Sequence, residues 1–325
     1  MTPPAGRERC FRLVALGDSI TAGVGDTIGP DAVHGPGWAA HLATVLGAEA
    51  FTNLATNGAR SRDVAGTQLD AAVALRPHLA TVIVGGNDVL RSDFDARLTL
   101  MDLRRCVSEL SQAGTDVVLV LLPVIGLFEL SPRLVRRVMR RRVASINAAV
   151  QEVAAAMGAG GLAADGPAGH PVSGDESTPS SGPGRVVVVD ATRAIAPAGA
   201  KAWHVDRVHP SPAGHRQLAL AAATALADMG PEYAPLPVRG TDQEWVRALA
   251  ARLPEAPDPP SVWQRLGWLL RAGLPWCLRR GRDFLPGLLR AVVHDLRAER
   301  VLAPGSMVTS LADSGLDPRR RIGGG

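Results

Sequence analysis

A chain of 325 residues, 46% of them hydrophobic and 20% charged, can bury one large core or two smaller ones and is too apolar for a disordered protein. Its formal net charge of +4 is small for that length, which argues against a nucleic-acid partner, whose footprint is a strong basic stripe. Cys10, Cys106 and Cys277 are odd in number and far apart, so they form neither a disulfide framework nor a metal-ligand spacing and read as free thiols.

Residues 1–10 contain no apolar run of the kind a signal peptide needs. The first such run, Phe11–Leu16, leads directly into Gly17-Asp18-Ser19, so a cytoplasmic location is expected. Phe11–Leu16 reads as a strand, Trp38–Leu46 as a helix, Ala50–Leu54 as a second strand and Val64–Leu75 as a second helix. Leu79–Val84 follows as a third strand, Ala96–Leu110 as a helix and Val117–Leu122 as a fourth strand. Leu134–Val153 is a long helix in which Val135, Met139, Val143, Ile146, Val150 and Val153 recur every three or four positions. Val186–Val189 is a fifth strand and Ala213–Leu226 a closing helix. Strands apolar on both faces suit a parallel sheet covered by helices on both sides, and the alternation predicts an α/β doubly wound layer architecture. No stretch reaches the roughly 18 apolar residues of a membrane span.

Two regions depart from the alternation. Residues 158–185 are rich in Gly, Ala, Pro and Ser and read as a flexible surface insertion, with a substrate-contacting flap as the alternative. After the last helix come segments rich in Trp, Leu and Arg, at Glu244–Leu253, Val262–Leu270 and Leu285–Glu299, with a Pro/Glu/Asp linker at Pro254–Pro260. The expected organisation is one domain over 1–232, a helical extension over 233–303 and a disordered tail over 304–325.

Four short blocks carry the chemistry: Gly17-Asp18-Ser19-Ile20, Asn57-Gly58, Gly85-Gly86-Asn87-Asp88 and Asp206-Arg207-Val208-His209. Each follows a strand, and in doubly wound folds the ligand site lies beyond the carboxyl ends of the strands. A serine hydroxyl needs a base to take its proton, and histidine suits that task near neutral pH. Ser19 is thus a candidate nucleophile, His209 its base and Asp206, three residues earlier, the carboxylate that orients the imidazole. A tetrahedral intermediate needs donors for its oxyanion, and the backbone N–H groups of Ser19 and Gly58 with the side-chain amide of Asn87 are candidates. Taken alone, Ser19 would read as a helix cap; Asp18 and Asp88 read as local structural carboxylates. No Walker motif, no complete Gly-x-Gly-x-x-Gly after a strand and no His-Glu-x-x-His appears, so neither cofactor nor metal is expected.

The ordered set LVALGDSITAG, NLATNGARS, VIVGGNDVL and DRVHPSPAGH resembles the SGNH/GDSL hydrolase family, whose name spells the Ser, Gly, Asn and His of its four blocks. The resemblance covers about residues 11–228 and departs from the family at Ala55, where many members have a first glycine. It implies a three-layer α/β/α flavodoxin-like sandwich with a five-stranded parallel sheet, and hydrolysis of a small-molecule ester or thioester through an acyl-enzyme. It also assigns Ser19, Asp206 and His209 as the triad, and Gly58 and Asn87 as oxyanion-hole residues. Acyl transfer through the same intermediate and a non-catalytic interaction role are the alternatives. Arg133, Arg136, Arg137, Arg140, Arg141 and Arg142 form a basic run that reads either as a solvated helix face or as a docking patch for a phospholipid surface or an acyl carrier. The extension reads as a packed accessory layer or dimer contact, or as an element lying on a membrane interface.

Overall fold

The computed structural model describes residues 11–27, 34–123, 125–129, 131–162, 182–234, 242–255, 257–258, 260–268, 270–271 and 275, and from 286 to 297 residues 286, 287, 289, 290, 293 and 297. The sheet has five strands: β1 (Arg12–Gly17), β2 (Ala50–Asn53), β3 (Leu79–Ile83), β4 (Asp116–Leu121) and β5 (Val186–Asp190). They lie in the order β2-β1-β3-β4-β5, and every pairing is parallel. This is the flavodoxin-like order, and its direction of winding reverses between β1 and β3.

The period-two pleat sorts each strand's side chains between two cores. Leu13, Ala15, Leu79, Val118 and Val120 face one core with Trp38, Leu42 and Val45 of α1 (Gly37–Leu46) and Leu218, Ala222 and Leu226 of α8 (Pro212–Met229). Val14, Leu16, Ala80, Val82, Val117 and Leu119 face the other. There they meet α3 (Leu69–Ala74), α4 (Ala96–Gln112) and the later turns of α6 (Arg133–Leu162). The result is the expected α/β/α sandwich. Burying a leucine side chain at such a position contributes on the order of 2 kcal/mol, and Leu13, Leu16, Leu79 and Leu119 are all fully buried.

The remaining elements refine the sequence reading. The expected helix Val64–Leu75 is two pieces, a π-helical turn over Val64–Gln68 and α3, and is preceded by one more, α2 (Ser61–Asp63). The cause is Gly66, whose backbone leaves helical geometry at φ −98°, ψ −111°. Two short helices, α5 (Gly126–Glu129) and α7 (Ala191–Ile195), fall on strand exits that carry no helical periodicity. Residues 158–162, expected as the start of the insertion, continue α6 to Leu162; the remainder of that insertion through 181 lies outside the described residues, as does the tail from 301 onward. In the extension, α9 (Asp242–Ala250) and α10 (Val262–Trp268) follow α8, and the expected helix Leu285–Glu299 is described only at the six positions named above. Leu249 of α9 is buried in the first core, and Arg252 Nη1 donates to Val45 O at 2.9 Å, tying this part of the extension to α1. Among the described residues no helix is long and apolar enough to cross a membrane.

Candidate active site

Ser19 stands in the first turn after β1, and His209 in the loop between the 3-10 turn Ala196–Lys201, which follows β5 and α7, and α8. That loop is shaped by its own side chains. Asp206 Oδ1 accepts the N–H of Val208 at 2.8 Å and of His209 at 3.0 Å, while Arg207 takes a left-handed conformation at φ 54°. Beyond the histidine, Ser211 caps α8 by accepting the Gly214 N–H at 3.2 Å, and Pro212 opens the helix. The two loops are pressed together at Gly25, where φ is 91° and a Cβ would lie 2.3 Å from Pro210 O and 3.1 Å from His209 Cβ. Only glycine fits that approach.

The contact this produces is a linear relay. His209 Nε2 lies 2.8 Å from Ser19 Oγ, and His209 Nδ1 lies 2.7 Å from Asp206 Oδ2. With Nδ1–H donating to Asp206, Nε2 is left as the acceptor for the serine hydroxyl. Burial alone would raise the Asp206 carboxyl, but the adjacent imidazoles of His204 and His209 outweigh it and hold it well below the usual carboxylate range. It is thus an ionised group at any pH near neutral. The three residues are partly buried, so the relay has an open side toward a substrate.

The second and third blocks converge on the same edge. Gly58, at φ +82°, turns the chain after β2, and Ala59 behind it is buried. Asn87 Nδ2 donates to Ala59 O at 3.1 Å, so one bond ties the second block to the third. The same amide nitrogen lies 3.5 Å from Asp18 Oδ2. Asp18 is fully buried and accepts the Ile20 N–H at 3.0 Å; burial raises its carboxyl to about 6. Asp88 is buried beneath the third block, where it accepts the Ser61 N–H at 3.1 Å and faces Arg60. Asp18 holds its own turn, as expected, whereas Asp88, expected as a turn or helix cap, instead ties the third block to Arg60 and Ser61 after the second.

Sequence reasoning reads His204, close to His209, as a surface or loop histidine with pocket lining as the alternative; the structure sets it beside Asp206. Its Nδ1 lies 3.2 Å from the same Asp206 Oδ2 without forming a well-directed hydrogen bond, and its ring meets Trp268 of α10 edge-on, with centroids 5.4 Å apart. A histidine two residues from an aspartate gives no periodic signal; only the turn at Arg207 folds it back. His215, expected to pack on the last helix, is buried there, and His41, which has no partner by spacing, is buried on α1. His41 Nε2 bonds Asp26 Oδ2 at 2.7 Å, and His215 accepts the Trp38 N–H at 3.1 Å and donates to Val24 O at 3.0 Å. Among the described residues no group of three or more His, Cys, Asp or Glu is placed to hold a metal ion.

The sequence profile of the GDSL-like Lipase/Acylhydrolase family matches residues 15–217, which spans all four blocks. Solved structures similar to this chain include Axe2, an acetylxylan esterase from Geobacillus stearothermophilus, with a TM-score of 0.48 and 22% identity over 67% of this chain and 94% of that one. A GDSL-like lipase candidate from Parabacteroides merdae ATCC 43184 has a TM-score of 0.49 and 14% identity over 69% of this chain and 99% of that one. No curated protein sequence matches the chain significantly.

Proposed function

The chain belongs to the GDSL-like lipase/acylhydrolase family and is an ester-hydrolysing enzyme; on that premise we propose that Ser19 is its nucleophile, His209 its general base and Asp206 the group that orients the base. The observation that supports this most directly is the relay itself, 2.8 Å from hydroxyl to imidazole and 2.7 Å from imidazole to carboxylate. In this reading Ser19 Oγ attacks the ester carbonyl while His209 Nε2 takes the hydroxyl proton. The carbonyl oxygen becomes an oxyanion facing the N–H groups of Ser19 and Gly58 and the Asn87 amide. The tetrahedral intermediate collapses, the bond to the alcohol oxygen breaks, and His209 gives that oxygen the proton. Water then attacks the acyl-enzyme with His209 as base again, and the acid and free Ser19 are released. Asp206 stays ionised throughout and balances the imidazolium charge.

The test is Ser19→Ala in the full chain. It removes one oxygen from a half-buried position, so the fold should persist while p-nitrophenyl acetate turnover falls by at least about a thousandfold. A fluorophosphonate probe should label the parent chain and not the variant. A folded Ser19→Ala protein that hydrolyses the ester at the parent rate would refute the assignment.

A further inference from the structure

The extension meets the catalytic edge at two places. Trp268 stacks edge-on against His204, beside Asp206. Gly287 sits so close to Ser92, in the turn after Asn87 and Asp88, that an added Cβ would lie 2.2 Å from Ser92 Cα. The extension thus touches the histidine side of the site at Trp268 and the asparagine side at Gly287.

The outward side of α10 is apolar. On α10 and the turn after it, Val262, Trp263, Leu266 and Leu270 fall within about a third of the helical circumference, whereas Trp268, which touches the site, lies on the opposite side. Trp263 is 80% exposed, Val262 73% and Leu270 60%. Leu289 and Val293, four residues apart near the second contact, are exposed as well. One valine, one tryptophan and two leucines in water on one small element is more than scattered surface apolarity requires. Arginines flank them. Residues 261–300 hold eight arginines against three carboxylates, a net charge of +5 that exceeds the +4 of the whole chain. Arg265, Arg271, Arg290 and Arg297 are exposed.

We propose that this face of the extension docks on an anionic phospholipid bilayer and presents the Ser19 site to esters dissolved in it. A stripe of valine, tryptophan and leucine flanked by guanidinium groups matches an interface whose interior is apolar and whose surface is negative. A purely acidic partner would answer the arginines but leave the apolar stripe in water. Pro260, Pro275 and Pro286 keep the helices short, so the extension lies on the bilayer rather than crossing it. The substrate part of the proposal rests on the ester-hydrolase reading above; the docking part does not.

The experiment is flotation of the full chain with vesicles of phosphatidylcholine, alone or with about a third phosphatidylserine. It is paired with hydrolysis of two esters: p-nitrophenyl acetate in solution and a long-chain p-nitrophenyl ester dissolved in the vesicles. The chain should bind the anionic vesicles at least about tenfold more tightly than the neutral ones, and raising salt from about 0.1 to 0.5 M should weaken binding. Trp263→Asp with Leu266→Asp should lower binding at least about tenfold, and Arg265→Glu by about fivefold or more. Both variants should hydrolyse the dissolved acetate within about twofold of the parent and lose the gain on the vesicle-borne ester. Equal binding to both vesicle types, or none to either, overturns the proposal. So does a concentration-dependent dimer that Trp263→Asp dissolves, which would assign the face to a second copy of the chain. Vesicle binding without hydrolysis of either ester would leave the docking face standing and remove the catalytic reading.

Discussion

Asp206→Asn probes the relay without changing its shape. The fate of the new amide follows from the hydrogen bonds already present. Asp206 Oδ1 accepts two backbone N–H groups, from Val208 and His209. An asparagine must place its carbonyl oxygen there, because its NH2 cannot accept either. The NH2 is then forced into the Oδ2 position, 2.7 Å from His209 Nδ1 and 3.2 Å from His204 Nδ1. It can only donate, so His209 Nδ1 must become an acceptor and its proton must sit on Nε2. That proton points at Ser19 Oγ, 2.8 Å away, and the imidazole can no longer take the hydroxyl proton. The loss of the wrong tautomer is on the order of ten-thousandfold in kcat, about 5.5 kcal/mol of transition-state stabilisation. The variant keeps its volume and its two backbone bonds, so its urea midpoint should stay near that of the parent. The assay is p-nitrophenyl acetate hydrolysis with fluorophosphonate labelling under the same conditions, and both should slow together. A folded variant within tenfold of the parent rate would show that Asp206 does not set the tautomer, and the relay would have to be reinterpreted.

Two further outcomes are expected. Asn87→Ala removes a proposed oxyanion donor and should lower kcat by about a hundred- to a thousandfold while KM changes little; unchanged kcat would take Asn87 out of the proposed oxyanion hole. His215 is fully buried, and burial lowers its pKa from 6.5 to about 4, so above pH 6.5 it is neutral in both folded and unfolded chains. As pH falls from 6.5 toward 4 the unfolded chain takes up a proton that the folded one refuses, and roughly 3 kcal/mol of stability is lost across that window. His215→Gln can still accept from Trp38 and donate to Val24, so its urea stability should decline less steeply over the same range. Parallel slopes for parent and variant would remove His215 as the acid-sensitive group.

Much of the architecture is legible because its signals are local. Most of the strands are built on apolar runs, and each observed strand lies within a residue of its expected start. The first three blocks sit at strand exits, where parallel topology brings them to one edge; the fourth reaches that edge only after α7 and a 3-10 turn. Other features depend on geometry that no pattern carries. Gly66 breaks a helix whose apolar spacing runs through the break. The second imidazole on Asp206 depends on the single left-handed turn at Arg207. The Asp26–His41 bond and the His215 contacts with Trp38 and Val24 close across long stretches of sequence, and histidine spacing alone does not announce them. The arginine run is a mixed case. Arg140 pairs with Glu129, and Arg142 donates to Val89 O and Arg91 O at 2.9 Å each, bracing the loop that follows Asn87. At least these two do structural work that a charge count cannot distinguish from a free basic face.

The hydrogen bond between Ser19 and His209 joins residues 190 positions apart, and the histidine loop lies beyond the edge strand β5. On the roles proposed above, a ribosome delivers the nucleophile early and its base late. While the chain is emerging, the hydroxyl is an ordinary alcohol with no proton acceptor beside it. Hydrolytic activity should therefore switch on in a single step during biosynthesis, when β5 has joined β4 and α8 has closed over α1, and partly translated chains held on the ribosome should be inert toward esters.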